Sequence, residues 1–213
     1  QSHSKVKLRD YQQEALAAIH EGFKSRNRLL AVLPTGAGKT ILFAHIAASH
    51  TPHRTLVLAH REELLTQAID KIHRATGLVA EMEKASHHAS MSAQVVVASV
   101  QTMMSRKDRW PKDHFGLVVV DEAHHVLSDS YQSVVSHFHN NAKILGVTAT
   151  PDRGDKRNLG AYFEEIAYEV GLARLVRDGY LSRIKVKKLP VTVDLRTVAK
   201  LAGDYKVSDL GEA

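Results

Sequence analysis

One short stretch constrains the fold of this chain more than any other. The apolar residues 29–33 are followed by Pro-Thr-Gly-Ala-Gly at 34–38, and then by Lys39 and Thr40. A continuous apolar run that ends at turn residues is typical of a strand buried on both faces of a parallel sheet. The largely apolar run 41–48 that comes next predicts a helix. We therefore expect a strand, a tight glycine loop and a helix.

This arrangement predicts a site for phosphate groups. At a helix N-terminus the unpaired backbone N–H groups and the positive end of the helix dipole favour an anion. A lysine at the mouth of such a loop reaches the outer phosphates of ATP, and a hydroxyl beside it can bind Mg²⁺. Thr40 is thus a predicted magnesium ligand. The predicted ATP-binding residues of the loop are Thr35, Gly36, Ala37, Gly38, Lys39 and Thr40.

One departure from the general pattern weighs against that interpretation. Leu33 stands where the general pattern G-x-x-x-x-G-K-[ST] has a glycine, so a strict pattern search would miss the loop. A glycine turn between strand and helix, with an incidental lysine, is the alternative. The rest of the chain favours the phosphate loop.

A second stretch places two carboxylates at the end of another buried strand. The apolar residues 117–120 lead directly into Asp121-Glu122-Ala123-His124. Adjacent acids are costly to bury unless they serve a cation or a reaction. We expect Asp121 to hold Mg²⁺, and Glu122 to orient and deprotonate the water that attacks the terminal phosphate. Two acids that cap a helix are the alternative, which leaves the upstream phosphate loop unexplained.

These segments, in this order, resemble the superfamily 2 helicases. Residues 34–40 are similar to the Pro-Thr-Gly-x-Gly-Lys-Thr loop of that family, whose first glycine is commonly absent, and 121–124 spell its DEAH box. The resemblance covers nearly all of residues 8–190. It implies an α/β fold of the RecA-like P-loop NTPase type, with a mainly parallel central sheet flanked by helices on both faces. It also implies a motor that hydrolyses ATP with Mg²⁺ and acts on nucleic acid.

The resemblance assigns roles to residues whose types alone say little. Residues 8–15 are similar to the adenine-reading glutamine motif, which implies that Arg9 and Gln12 help to bind ATP; exposure at a helix start is the alternative. His124, the last letter of the DEAH box, joins the catalytic group. Polar residues after three further predicted strands are implied to contact nucleic acid or to couple it to the ATP site. These residues are His60, Arg61, Gln101, Thr102, Thr148 and Thr150.

Length and composition agree with one soluble globular domain. The chain has 213 residues, 44% hydrophobic and 24% charged, which are ordinary values. Cysteine is absent, which excludes disulfides and thiolate metal sites. A formal net charge of +6 permits an anionic partner such as nucleic acid. No apolar run reaches the ~20 residues needed to span a bilayer. We therefore expect a cytoplasmic, monomeric domain with no membrane partner.

The domain organisation predicted from the resemblance is a first RecA-like domain at 1–190 and a linker at 191–213. The linker would lead to a second RecA-like domain, absent from this chain, whose arginines complete the ATP site in the family. Residues 80–93 are predicted to be a surface loop, and 183–187 and 191–194 to be strands.

The predicted partner is DNA rather than RNA. The segment Thr-Ala-Thr-Pro-Asp-Arg at 148–153 resembles DNA-directed members, such as repair helicases and restriction-enzyme motors, more than RNA-processing ones. Three alternatives stay open: an RNA helicase of the same superfamily, a P-loop small-molecule kinase, and a non-catalytic domain that binds nucleic acid.

Overall fold

The computed structural model describes residues 7–149 and 151–181. The chain divides into two compact units, Gln1–Gly171 and Leu172–Ala213. The strands of the described part are β1 (Arg28–Val32), β2 (Thr55–Ala59), β3 (Ala80–Glu83), β4 (Val95–Ser99), β5 (Leu117–Asp121), β6 (Lys143–Thr148) and β7 (Glu165–Glu169). The α-helices of the first unit are α1 (Asp10–Phe23), α2 (Lys39–Ser49), α3 (Leu65–Thr76), α4 (Val100–Arg106), α5 (Asp129–Phe138) and α6 (Arg153–Tyr162). In the second unit, α7 (Leu172–Arg177) is followed by Gly179, with φ +82°.

The strands form one sheet in which every neighbouring pair is parallel. Their order is β3-β4-β2-β5-β6-β1-β7, so β6 lies between β1 and β5. The carboxyl ends of all the strands therefore meet at one edge of the sheet. This edge brings the loop after β1 close to the acids that end β5, although the two are far apart in sequence.

Helices cover both faces of the sheet, as predicted. Alternate strand residues such as Leu30 and Val118 belong to one apolar cluster with side chains of α4, α5 and α6. The residues next to them, such as Leu29 and Val119, are also fully buried. Successive strand side chains point to opposite faces, so these residues face the other layer. There α1 contacts β1 and β7, α3 contacts β3 and β4, and α2 contacts both α1 and α3. The predicted α/β fold is confirmed.

The prediction of a surface loop at 80–93 is wrong in part. Ala80–Glu83 forms the edge strand β3, which pairs with β4. Glu83 is fully buried, and its carboxylate pairs with Arg106 at 2.7 Å and with Arg109. The sequence did not predict this strand, because two of its four residues are glutamates and the segment lacks the apolar run of a buried strand. Two arginines from the segment after β4 neutralise the buried Glu83 and stabilise the edge strand β3.

Several predictions fall outside the described residues: the strands at 183–187 and 191–194, the linker at 191–213, and Thr150. The domain boundary at 190 stays a prediction. No helix within residues 7–149 and 151–181 has the length and apolar character that crossing a bilayer requires.

Candidate active site

The phosphate loop has the backbone that its glycines predict. Gly36 and Gly38 have φ of 86° and 77°, the left-handed region that glycine adopts at no steric cost. The loop closes with a hydrogen bond from the Ala37 N–H to the Pro34 carbonyl oxygen at 3.1 Å, and Gly38 is the N-cap of α2. The first N–H groups of a helix have no partner within the helix. The loop therefore leads directly into the N-terminal end of α2, where phosphate oxygens can be bound.

Helix α1 contacts the phosphate loop through side-chain hydrogen bonds. The Tyr11 hydroxyl donates to the Ala37 carbonyl oxygen. The Gln12 side-chain Nε2 donates to the carbonyl oxygens of Ala37 and Gly38, at 3.4 and 3.3 Å. Its Oε1 accepts from the Arg9 backbone N–H at 2.9 Å, so both ends of the amide are engaged. Gln12 thus lies against the phosphate loop. Recognition of adenine by Gln12 and Arg9 stays a prediction.

Lys39 lies between the two predicted catalytic acids. Its Nζ is 3.8 Å from Asp121 Oδ1 and 3.4 Å from Glu122 Oε1. The exposed fractions of the three side chains are 16%, 20% and 35%, so Glu122 is the most accessible to water. The loop and the acidic strand end therefore form one site, as expected.

The backbone at Glu122 is strained. Its φ is +53°, in the left-handed region that costs a non-glycine residue roughly 1–2 kcal/mol. The Glu122 N–H donates to Asp121 Oδ1 at 2.9 Å, and the chain then enters a 3₁₀ helix, Ala123–His125. Strain of this kind is concentrated at functional sites, where surrounding structure maintains it. Here it turns the chain sharply, so that both carboxylates stay near Lys39.

The charges of the site favour a divalent cation. Burial raises the pKa of Asp121 above its usual range, Lys39 acts in the opposite direction, and Glu122 raises the pKa further. Two acids with one lysine leave an excess of negative charge, which a cation would neutralise. Carboxylate and hydroxyl oxygens are ligands that Mg²⁺ accepts. Thr40, half-buried in the first turn of α2, supplies the hydroxyl, so the residues present fit Mg²⁺.

His124 connects the acids to the end of β6. Its Nδ1 is 3.2 Å from the hydroxyl oxygen of Thr148 and 3.6 Å from Glu122 Oε2. Thr148 is buried, and its carbonyl oxygen accepts from the N–H of Leu33, at the start of the phosphate loop, at 3.0 Å. Thr148 therefore contacts both halves of the site, and its coupling role stays a prediction.

The residues predicted to contact nucleic acid lie at the same edge of the sheet, at the ends of the neighbouring strands β2 and β4. His60, Arg61 and Gln101 are exposed. The Thr102 hydroxyl donates to Glu62 Oε1 at 3.3 Å, and this contact joins the segments after the two strands. Four residues have contacts that the sequence did not predict, because these contacts form only in the folded chain: Tyr11, Glu62, His125 and Tyr131. The doubled histidine after the acids was the one available signal for His125.

Comparison with known proteins gives the family. The family described as "Type III restriction enzyme, res subunit" matches residues 5–153. The chain belongs to this family of superfamily 2 helicases. It is the N-terminal RecA-like domain of such a protein. The predicted recognition is confirmed.

Two relatives illustrate the similarity. The chain is 30% identical to the DNA 3'-5' translocase XPB2 of Sulfurisphaera tokodaii over 195 residues, which are 89% of this chain and 41% of the relative. It is 30% identical over 220 residues to IRC3 of Saccharomyces cerevisiae, assigned as an ATP-dependent helicase, which covers 95% of this chain and 32% of IRC3. The chain thus spans less than half the length of these relatives.

A solved structure shows the same fold. The UvsW helicase from bacteriophage T4 superimposes with a TM-score of 0.61 at 24% identity, covering 78% of this chain and 62% of that one. At this identity the likeness supports the fold alone.

Proposed function

We propose that this chain is the ATP-binding motor domain of a DNA-directed, DEAH-type helicase or translocase that hydrolyses ATP to ADP and phosphate. The observation that carries the proposal is the position of Lys39, between Asp121 and Glu122 at the head of a glycine loop. A lysine at a helix N-terminus and two acids at the end of a second strand are among the parts that phosphoryl transfer to water requires.

Each group has a role that follows from its place. The N-terminal end of α2 and Lys39 bind the phosphates, and Thr40 and Asp121 would hold Mg²⁺, which neutralises phosphate charge when bound. Glu122, the most exposed of the charged groups, accepts a proton from the attacking water. In the structure Lys39 contacts both acids, and it is expected to turn towards the phosphates when ATP binds. His124 lies near both Glu122 and Thr148, and it helps to position the Glu122 carboxylate.

Three observations support DNA as the partner. XPB2 is named as a DNA 3'-5' translocase, and UvsW of bacteriophage T4 is named as an ATP-dependent DNA helicase. The formal net charge of +6 favours a polyanion. The exposed side chains of His60, Arg61 and Gln101 share the strand-end edge with the ATP site. A second RecA-like domain, which would supply arginines to the ATP site, belongs to the proposal as well.

A nucleotide titration in the presence and absence of nucleic acid tests the proposal. We expect a non-hydrolysable ATP analogue with Mg²⁺ to change the affinity of the chain for single-stranded DNA more than its affinity for RNA of the same sequence. Lys39→Ala should abolish the change. A larger effect with RNA would replace DNA by RNA in the proposal. If neither strand responds to the nucleotide, the chain is not a nucleic-acid motor domain.

A further inference from the structure

Three nearly parallel aromatic rings form a triangular cluster beside the ATP site, which we call the ring stack: His60, His125 and Tyr131. The rings of His60 and His125 are 4.2 Å apart between centroids and within 14° of parallel. Tyr131 lies 6.0 Å from His125 and 6.4 Å from His60, again nearly parallel to both. The rings come from three separate elements: the segment after β2, the 3₁₀ helix Ala123–His125, and α5.

His125 joins the ring stack to the segment of the catalytic acids. The His125 N–H donates to the Glu122 carbonyl oxygen at 3.1 Å. The His124 ring, which contacts Glu122 and Thr148, is 4.1 Å from the His125 ring. Burial raises the pKa of Tyr131, and the charges of Asp121 and Glu122 add to this rise. The 3₁₀ helix Ala123–His125 therefore links Glu122 directly to the ring stack.

His60 is the member of the ring stack that faces solvent. His60 is exposed and is followed by Arg61, at the strand end proposed to meet nucleic acid. His125 is half-buried and Tyr131 is buried, so exposure falls from His60 towards the acids. Burial lowers the pKa of His125, with smaller effects in the same direction from His124 and His60, whereas Glu122 and Asp155 act oppositely. An uncharged His125 ring stacks on its neighbour without charge repulsion.

We propose that His125 is a positioning residue that transmits the state of the ATP site to the nucleic-acid-binding segment at His60. The reason is steric: two flat rings in contact, backed by the buried Tyr131, cannot shift independently. A change at Glu122 when ATP binds would move the 3₁₀ helix and carry His60 with it. This inference rests on the proposed function, because it assumes that ATP and nucleic acid bind to the same chain.

The test measures the affinity of the chain for a fluorescent single-stranded DNA oligonucleotide, with and without a non-hydrolysable ATP analogue and Mg²⁺. The ratio of the two dissociation constants is the coupling. We expect His125→Ala to reduce this ratio by about 2- to 10-fold, the range expected for one aromatic pair. Binding of the analogue without DNA should stay within about twofold, because the His125 ring contacts other rings rather than the phosphate loop. His125→Phe, which keeps a flat ring, should restore the ratio.

Control variants separate this role from a general structural one. His87→Ala replaces an exposed histidine in the turn after β3, away from the ring stack, and should leave the ratio unchanged. His60→Ala should lower the ratio as His125→Ala does, and the double variant should lower it no further, since one contact is removed in all three. If His125→Ala does not fold, His125→Leu keeps the apolar volume without the flat ring and takes its place.

The outcomes are distinct. An unchanged ratio in His125→Ala, a failure of His125→Phe to restore it, or additive losses in the double variant would each overturn the inference while the proposed function stands. An unaltered chain whose DNA affinity does not respond to the analogue would overturn both the proposed function and this inference.

Discussion

Substitution of Gly38 by alanine should damage the phosphate loop through two separate effects. Gly38 has φ +77°, which a residue with a Cβ rarely adopts. A Cβ built at this position would lie 2.5 Å from Gln12 Nε2, well inside contact distance. The Gln12 amide must therefore move away and give up its bonds to the Ala37 and Gly38 carbonyl oxygens.

The magnitude follows from these two effects. The left-handed backbone costs a non-glycine residue roughly 1–2 kcal/mol. Each of the two lost hydrogen bonds contributes about 0.5–1.5 kcal/mol. We therefore expect Gly38→Ala to lower the free energy of unfolding by about 2–5 kcal/mol. ATP should bind at least about 10-fold more weakly, a change of about 1.4 kcal/mol, because the loop that surrounds the phosphates is displaced.

Gly77 provides a matched control. It has φ +79° at the end of α3, and a Cβ there would meet nothing within 4 Å. Gly77→Ala should therefore show only the backbone cost, roughly 1–2 kcal/mol, with ATP binding unchanged. Urea unfolding gives the stabilities, and calorimetric titration with ATP–Mg²⁺ gives the affinities. Equal destabilisation by the two substitutions, or normal ATP binding by Gly38→Ala, would refute the packing of Gln12 against the loop.

Three further predictions concern the acids and the whole chain. In a motor that contains both RecA-like domains, Glu122→Gln should keep ATP binding but lower the rate of hydrolysis by about 10² or more, the scale of a general base, in a steady-state phosphate-release assay; retained turnover would assign the base to another residue. Glu83→Ala should lower the free energy of unfolding by roughly 3–5 kcal/mol in urea, because it leaves the charges of Arg106 and Arg109 unpaired; a loss below about 1 kcal/mol, the value of a surface pair, would contradict this. These 213 residues by themselves should hydrolyse ATP about 10³–10⁵-fold more slowly than a motor with an arginine supplied by another domain, and should displace no strand from a duplex; robust DNA-stimulated turnover would show that no such arginine is needed.

The fold and the centre of the site could be predicted because they follow from local patterns. Short apolar strands that end in glycines or acids predict a parallel sheet, and the carboxyl ends of its strands share one edge. That pattern predicts that Lys39, Asp121 and Glu122 share one site. In the structure Lys39 Nζ lies within 4 Å of both carboxylates.

Contacts between elements distant in sequence could not be predicted in this way. The four residues of β3 carry two glutamates, and they form a strand because β4 and two arginines stabilise it. The bond from Gln12 to the loop depends on how α1 packs. The ring stack depends on the sharp turn at Glu122. The sequence does not predict this turn, because glutamate rarely adopts φ of +53°.

The most direct test of the account is whether Lys39 holds the phosphates of ATP. Calorimetric titration with ATP–Mg²⁺ would compare the unaltered chain, Lys39→Ala and Lys24→Ala, an exposed lysine paired with Glu21 on α1. The account predicts that Lys39→Ala removes most of the binding, by at least about 10-fold, and that Lys24→Ala binds normally. Equal affinity in Lys39→Ala and the unaltered chain would contradict the assignment of this loop as the ATP site.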